Sequence, residues 1–141
     1  MTVGRLIRGR SDVISIEPGM PLGDAAKVLV EKRIGAVLVK DGDRIAGILS
    51  ERDIVRCMAE CGAEALTRTA GDQMTRDLET SAPSETVHDA MGHMTRRRIR
   101  HLPVLDGEKL VGIVSIGDLV KARIEEAERE AESLKDYIQH G

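Results

Sequence analysis

Two stretches of the chain carry apolar residues at the i, i+3, i+4 and i+7 spacing that places side chains on one face of a helix. The two stripes are, in order, Leu22, Ala25, Ala26, Leu29 and Val30, and then Val87, Ala90, Met91 and Met94. Pro21 directly precedes the first stripe, and proline suits a helix start because the first turn needs no backbone N–H from it. An amphipathic helix is therefore predicted in each half of the chain.

Each helix is followed by two short apolar runs that are typical of paired strands. In the first half these runs are 36–39 (AVLV) and 45–49 (IAGIL), and unbroken apolar runs indicate strands that are covered on both faces. Asp41-Gly42 lies between them, and Asp106-Gly107 lies at the corresponding place in the second half. A tight hairpin needs a residue that tolerates positive φ at such a place, so a hairpin is predicted in each half.

The two halves are copies of one unit. When the sequence is shifted by 65 positions, residues 13–55 align with 78–120 without a gap, and 13 of the 43 pairs are identical. Each copy has a short strand, a helix, two strands and a second helix that begins at Ser50 or Ser115. The sequence thus predicts an α+β fold of two β-α-β-β-α repeats. A unit of about 55 residues is too small to bury its own apolar faces, so the repeats should pack about a pseudo-two-fold axis.

The repeat also sets the expected boundaries along the chain. We expect a first repeat at 2–61, a linker at 62–76, a second repeat at 77–124 and a helical extension at 125–141. Thr69-Ala70-Gly71 in the linker echoes Thr2-Val3-Gly4, so a helical turn is predicted ahead of each repeat's first strand.

The last helix is predicted to be long, from about residue 118 to 139. Its apolar residues alternate spacings of four and three, which is the pattern of a coiled-coil seam. They are Val120, Ile124, Ala127, Ala131, Leu134 and Ile138. Such a face could pack back on its own domain, but its length and its alanines favour contact with a second subunit, so a homodimer is expected.

Composition narrows the class of function. The chain of 141 residues has no Trp and no Phe, a single Tyr, and a formal net charge of -3. Aromatic base stacking and a general basic surface are both missing, which argues against nucleic-acid binding. No apolar stretch has the character of a signal sequence or a membrane span, so a cytoplasmic protein with no membrane contact is expected.

Sequence motifs for catalysis and metal binding are also missing. The chain has no GxSxG, HExxH, CxxC or GxxxxGK[ST] pattern, and we find no nucleophile–base combination, so we expect no enzyme activity. Cys57 and Cys61 are four residues apart in a helical context. Zinc needs about four ligands and no nearby Cys or His pair supplies the rest, so helix packing is the favoured role and no metal is expected.

The pattern Gly-aliphatic-aliphatic-Ser-x-x-Asp occurs once in each repeat, as GILSERD and GIVSIGD. A serine at a helix N-cap with an aspartate three residues on forms a capping box, which is a purely structural role. A helix N-terminus at a strand end also attracts phosphate, and a carboxylate there can accept hydrogen bonds from the two hydroxyls of ribose. Gly47 and Gly112 lie inside strands, where glycine indicates that something approaches the backbone closely. The motif alone leaves both roles open.

The tandem unit, the segments GILSERDIVR and RHLPVLDGEKLVGIVSIGDLV, and the length together closely resemble a cystathionine-β-synthase (CBS) domain pair, or Bateman module. The resemblance covers about residues 2–124, and the chain looks like a stand-alone pair without a catalytic domain. It implies a cytoplasmic regulatory module that binds adenosine ligands in two clefts between the repeats and dimerises into a disc. It further implies a partner protein that receives the signal, which the sequence does not name.

The resemblance also implies which residues bind the ligand, because in the family each cleft combines one repeat's Ser-x-x-Asp with the other repeat's strand edges. One cleft would then use Ser50, Arg52, Asp53, Thr75, Ile99, Arg100 and His101, and the other Ser115, Asp118, Ile14, Gly35 and Ala36. The aspartates would hold ribose hydroxyls, and adenine would lie between aliphatic side chains. Arg52, Arg100 and His101 fall in one cleft, so that cleft is expected to bind phosphorylated adenosine more tightly.

Two alternatives stay open alongside the adenine-nucleotide (AMP, ADP or ATP) interpretation. NAD(H) could occupy an adenosine cleft and extend outward, and a constitutive dimerisation scaffold would need the Ser-x-x-Asp segments only as helix caps. The basic run 96–98 either complements the dipole of a helix C-terminus or contributes to phosphate binding.

Overall fold

The structure of the protein is a computed structural model that describes residues 1–10 and 13–140. In chain order its elements are α1 Val3–Ile7, β1 Ser15–Ile16, α2 Leu22–Lys32, β2 Ala36–Asp41, β3 Arg44–Ser50, α3 Glu51–Cys61, a 3₁₀ helix Gly62–Thr67, α4 Ala70–Gln73, α5 Val87–Arg97, β4 His101–Asp106, β5 Lys109–Ser115 and α6 Ile116–His140. None of the helices in these described ranges is long and apolar enough to cross a membrane.

The chain folds into two units. Val13–Leu78 forms one, here called the first-repeat unit, while Met1–Asp12 and Glu79–Gly141 together form the other, called the second-repeat unit. The segment ahead of each repeat therefore belongs to the unit of the opposite repeat. The boundaries expected from the sequence describe the repeats along the chain and stay a prediction.

The first-repeat unit contains a three-stranded sheet in the order β1-β2-β3. β1 runs parallel to β2, which pairs antiparallel with β3 in a register that sets Ala36 opposite Ser50. β2 is buried at its first four positions, as its unbroken apolar run predicted. Leu22, Ala25 and Leu29 of α2 are buried beneath it, but Val30, at the edge of the apolar stripe, is 77% exposed.

The second-repeat unit keeps the hairpin and both helices of the same plan. β4 and β5 pair antiparallel with His101 opposite Ser115, and Val87, Ala90 and Met94 of α5 are buried. The first strand is reduced to an isolated parallel bridge between Ser81 and Val104. The polar sequence LETS at 78–81 stands where the first repeat has VISI, so fewer apolar side chains are available to extend that strand.

Both hairpins turn as predicted at a glycine with positive φ, which is 63° at Gly42 and 66° at Gly107. A side chain is disfavoured in that conformation because its Cβ crowds the backbone, so the two Asp-Gly pairs end β2 and β4 where the sequence placed the turns.

The helical turn predicted ahead of each repeat is present as α1 and α4. Thr2 and Thr69 cap them, each side-chain oxygen accepting from the N–H three residues on. A Cβ on Gly4 would lie 2.9 Å from Pro83, and one on Gly71 would lie 3.0 Å from Pro18. The two turns therefore pack in the same way on equivalent prolines of opposite repeats.

The glycines inside β3 and β5 accommodate these same segments. A Cβ on Gly47 would lie 2.6 Å from the carbonyl oxygen of Thr75 and 2.7 Å from Sδ of Met74. A Cβ on Gly112 would lie 2.9 Å from Cδ1 of Ile7. The close approach that the sequence indicated is thus made by the chain itself, which explains both glycines without a ligand.

Candidate functional site

Ser50 ends β3 and caps α3 in a reciprocal capping box. The Ser50 N–H donates to Oδ2 of Asp53 at 2.9 Å, and the Asp53 N–H donates to Oγ of Ser50 at 3.3 Å. The Ser50 hydroxyl also donates to Oδ2 at 3.1 Å. The capping role considered for this motif is therefore present, and it orients the Asp53 carboxylate at the N-terminus of the helix.

Asp53 is an ionisable side chain with only 4% of its surface exposed. Burying a carboxylate is costly unless hydrogen bonds and charges compensate it. Here Ser50 supplies hydrogen bonds to Oδ2, while the exposed Arg56 donates to Oδ1 over a longer 3.4 Å. The start of α3 adds the positive end of its dipole, so the site is built to hold a negative charge.

The second repeat builds the same arrangement with a different cation. The Ser115 N–H donates to Oδ2 of Asp118 at 2.9 Å, and the Asp118 N–H donates to Oγ of Ser115 at 3.1 Å. Nη1 of Arg10 lies 3.2 Å from Oδ2 of Asp118 and also donates to the carbonyl of Ile113. Burial disfavours ionisation of Asp118, but the Ser115 N–H and the Arg10 guanidinium outweigh it, so the pKa of Asp118 lies below its ordinary value.

Strand-edge residues surround each Ser-x-x-Asp segment within its own unit. In the first-repeat unit the N–H of Glu51 donates to the carbonyl of Gly35 at 3.0 Å, and Ala36 is the register partner of Ser50. Thr75 exchanges two backbone hydrogen bonds with Ile48 of β3, at 2.8 and 3.0 Å.

The second-repeat unit has the equivalent contacts. The N–H of Ile116 donates to the carbonyl of Arg100 at 2.8 Å, and His101 is the register partner of Ser115. The structure thus brings the predicted site residues together within each repeat. Their combination across repeats, which the family resemblance implied, stays a prediction.

Comparison with known proteins identifies the module. A family model described as the CBS domain matches residues 3–60 and matches a second time at 70–125. This chain belongs to the CBS-domain family. Its two copies of the domain coincide with the two repeats of the sequence, and CBS domains are in general regulatory modules that are not themselves catalytic.

Three proteins illustrate the similarity. CBS domain-containing protein CBSX3, mitochondrial, of Arabidopsis thaliana is 41% identical over 123 residues, which is 84% of this chain and 60% of the length of that relative. The crystal structure of the CBS-domain containing protein ATU1752 from Agrobacterium tumefaciens superposes with a TM-score of 0.84 at 38% identity, covering 87% of this chain and 99% of that chain. CBSX2, solved in complex with AMP, superposes with a TM-score of 0.75 at 27% identity, covering 89% and 98%.

Two of the remaining predicted site residues of the CBS pair are half-buried, and two are exposed. Ile14 and Ile99 are half-buried and pack against the cores of their own units. Arg52 and Arg100 are exposed, and within residues 1–10 and 13–140 neither takes part in an ion pair. Both guanidinium groups are therefore exposed to solvent.

Sequence reasoning missed Arg10, which pairs with Asp118. It precedes the aligned repeat, so comparison of the two copies gave no equivalent for it, and only the fold shows that 1–10 packs with the second repeat. Arg56 was also missed, although its position three residues after Asp53 on a helix was a usable signal.

Arg97 of the basic run and Cys57, both considered in the sequence, have structural contacts. Arg97 lies in the last turn of α5 and pairs with Glu79 at 3.2 Å, and Nε2 of His93 lies 2.9 Å from the same carboxylate. Cys57 belongs to the first-repeat core, where burial first and the neighbouring Cys61 second raise the pKa of its thiol. Across the residues that the structure describes, no group of three or more His, Cys, Asp or Glu side chains could hold a metal ion.

Proposed function

We propose that this CBS pair senses adenine nucleotides by binding them and performs no chemistry of its own. The observation that carries the proposal is the pair of capped aspartates, Asp53 and Asp118, each fixed at a helix N-terminus by the serine that ends a strand. Binding of AMP by the structural neighbour CBSX2 supports the choice of ligand class.

The aspartates are suited to hold the ribose of such a ligand. A ribose diol donates two hydrogen bonds, and an ionised carboxylate offers acceptor positions on both oxygens. In Asp53, Oδ2 is occupied by Ser50, while among the residues that the structure describes Oδ1 receives only the 3.4 Å contact from exposed Arg56. A ribose hydroxyl could replace Arg56 at Oδ1 without disturbing the helix cap.

The resemblance to CBS pairs implies that residues of the opposite repeat complete each cleft. We propose that Asp53, Ser50 and Arg52 act with Thr75, Ile99, Arg100 and His101, and that Asp118 and Ser115 act with Ile14, Gly35 and Ala36. The half-buried Ile14 and Ile99 would flank adenine, whose polar edge would be read by backbone groups.

The two clefts are proposed to bind unequally. Arg52 and Arg100 are exposed and would serve the Asp53 cleft, whereas Asp118 already holds the guanidinium of Arg10. Hydrogen bonds to charged groups contribute about 1.5 to 3 kcal/mol each, so one additional phosphate contact favours the Asp53 cleft by roughly tenfold or more.

A homodimer is part of the proposal. In the first-repeat unit, Val30 of α2 and Val55 and Met58 of α3 are exposed apolar side chains. Val30 and Val55 line a groove of about 540 Å³ between the two helices. Exposed apolar helix faces of this kind are typical of subunit contacts. The cytoplasm as compartment, and a regulated partner protein, stay predictions from the sequence.

Two linked measurements test the ligand class. Small molecules released from the purified protein by denaturation are identified by mass spectrometry, and the melting temperature is recorded with AMP, ADP, ATP, NAD⁺ and NADH. A ligand at 100 times its Kd adds about 2.7 kcal/mol of stability, so a clear upward shift is expected with AMP. A larger shift with NAD⁺ or NADH selects the dinucleotide instead. No shift with any adenosine compound contradicts the proposal and favours the scaffold.

A further inference from the structure

Helix α6 has two apolar faces. Leu119 and Ala122 lie on one face and are buried in the core of the second-repeat unit together with residues of α5. The other face carries the heptad seam, here meaning Val120, Ile124, Ala127, Ala131, Leu134 and Ile138. Since each helical residue advances by about 100°, the centres of the two faces lie roughly 130° apart. The seam therefore points away from the core that the helix already covers.

The heptad seam is exposed along its length. Val120 is 38% exposed, Ile124 54%, Leu134 61% and Ile138 76%. Residues with this spacing repeat every 3.5 positions on average, which keeps them facing a partner helix as two helices supercoil. With Val120, Ala127 and Leu134 at d positions, Ile124, Ala131 and Ile138 occupy a positions.

Charges beside the seam indicate which partner fits it. In a parallel pair, each g residue faces the e residue five positions later on the other helix. Here the charged g residues are Arg123 and Glu130, and the matching e residues are Glu128 and Lys135. A second copy of this chain would therefore form Arg123–Glu128 and Glu130–Lys135 pairs twice, by symmetry. All four pairs have opposite charge.

The antiparallel arrangement of the same helices is opposed by its charges. When the seam is matched to itself in reverse, Lys121 faces Lys135, Glu128 faces Glu128 and Glu130 faces Glu130 of the second copy. Every one of these pairs has like charge, which disfavours that orientation.

We infer that α6 from Val120 onward pairs with α6 of a second copy of this chain as a parallel, in-register, two-stranded coiled coil. This inference specifies the homodimer part of the proposed function and is independent of nucleotide binding. The seam from Val120 to Ile138 spans about 27 Å at 1.5 Å per residue. That is roughly two and a half heptads with alanines at its centre, so the test uses the full chain and not an isolated peptide.

Cysteine cross-linking tests the orientation. In the parallel register, Leu134 lies beside Leu134 of the second copy, so Leu134→Cys should form a disulfide-linked dimer in a glutathione redox buffer. In the antiparallel register the same positions are about 15 Å apart along the axis, ten residues at 1.5 Å each, which is too far for a disulfide. Ser133→Cys is the matched control, because position 133 is the exposed neighbour on the c side of the helix. Equal cross-linking of the two variants overturns the inference.

Charge exchange provides a second test that does not depend on a single apolar side chain. One variant carries Arg123→Glu and Glu130→Lys, the other carries Glu128→Lys and Lys135→Glu, and both carry Leu134→Cys. Each variant alone has four repulsive pairs, whereas the equimolar mixture has four attractive ones. We expect about tenfold or more covalent dimer in the mixture than in either variant alone.

The outcomes separate this inference from the proposed function. Equal covalent dimer in the mixture and in the separate variants contradicts the parallel coiled coil. If AMP binding measured on the same proteins persists, only the coiled coil is rejected. If the unmodified chain does not bind AMP, the nucleotide-sensor proposal is rejected, and the result says nothing about the helix pairing.

Discussion

Replacing Gly47 by alanine is expected to destabilise the first-repeat unit through a clash that the structure locates to single atoms. The new methyl group would lie 2.6 Å from the carbonyl oxygen of Thr75 and 2.7 Å from Sδ of Met74. The Thr75 carbonyl is held in place because it accepts the Ile48 N–H at 3.0 Å. To relieve the clash, either the hydrogen bond between the Ile48 N–H and the Thr75 carbonyl must lengthen, or the Met74–Thr75 segment must move away from β3.

Two other glycines set the scale of the effect. At Gly112 the nearest atom is the end of the Ile7 side chain at 2.9 Å, which can move by rotating about its own bonds. At Gly19 a methyl group would meet nothing within 4 Å, and its φ is not in the left-handed region. Overpacking costs about 1–3 kcal/mol and a weakened hydrogen bond about 1 kcal/mol, so Gly47→Ala should lose about 2–4 kcal/mol. Gly112→Ala should lose about 1 kcal/mol or less, and Gly19→Ala should be neutral or stabilising by about 0.4–1 kcal/mol.

Urea unfolding followed by circular dichroism measures the three variants against the unmodified chain. The transition midpoints should fall in the order Gly19→Ala, Gly112→Ala, Gly47→Ala, from highest to lowest. A loss for Gly112→Ala that equals or exceeds the loss for Gly47→Ala would refute the reasoning, because it would mean that the Thr75 carbonyl is not the constraint.

Two further predictions concern ionised side chains. Arg10→Ala should lower the free energy of unfolding at neutral pH. Because the fold lowers the pKa of Asp118, the Arg10–Asp118 pair stabilises the protein above the ordinary aspartate pKa, and this stabilisation is lost as pH falls through the lowered pKa. Urea midpoints of variant and parent should therefore converge in acid, and a gap that persists there would show that Arg10 acts by packing. Glu79→Gln should likewise lower the free energy of unfolding at neutral pH and have less effect in acid, because the pKa of Glu79 is lowered mainly by the hydrogen bond from His93. A Glu79→Gln effect that does not change with pH would contradict that cause.

Elements whose signals are local were predicted well from the sequence. The Asp-Gly turns at 41–42 and 106–107, the buried run at 36–39 and the cap at Ser50 each depend on a few neighbouring residues. The 65-residue repeat added the prediction of two copies of one unit, since a gapless self-match indicates duplication whatever the details of the elements, and the family model matches the chain twice.

Features that depend on distant parts of the chain were not predicted. Helical spacing placed Val30 in the apolar stripe of α2, but the edge of a stripe is buried only if another element covers it, and Val30 is exposed. The role of Arg10 required knowing that α1 packs with the second repeat. Gly47 was correctly identified as a point of close approach, but only the fold shows that Thr75 and Met74 make that approach.

Calorimetric titration with AMP is the measurement that tests nucleotide sensing most directly. It compares the unmodified chain with Asp53→Asn and Asp118→Asn, which keep the size of the side chain but remove the charge. Asp89→Asn is the matched control, because Asp89 stands three residues after the N-cap Thr86 of α5, in the same position relative to its helix. We predict that Asp53→Asn weakens the tighter binding phase by about tenfold or more, that Asp118→Asn spares it, and that Asp89→Asn changes neither phase. Absence of AMP binding to the unmodified chain, or equal affinities for parent and Asp53→Asn, would contradict the account.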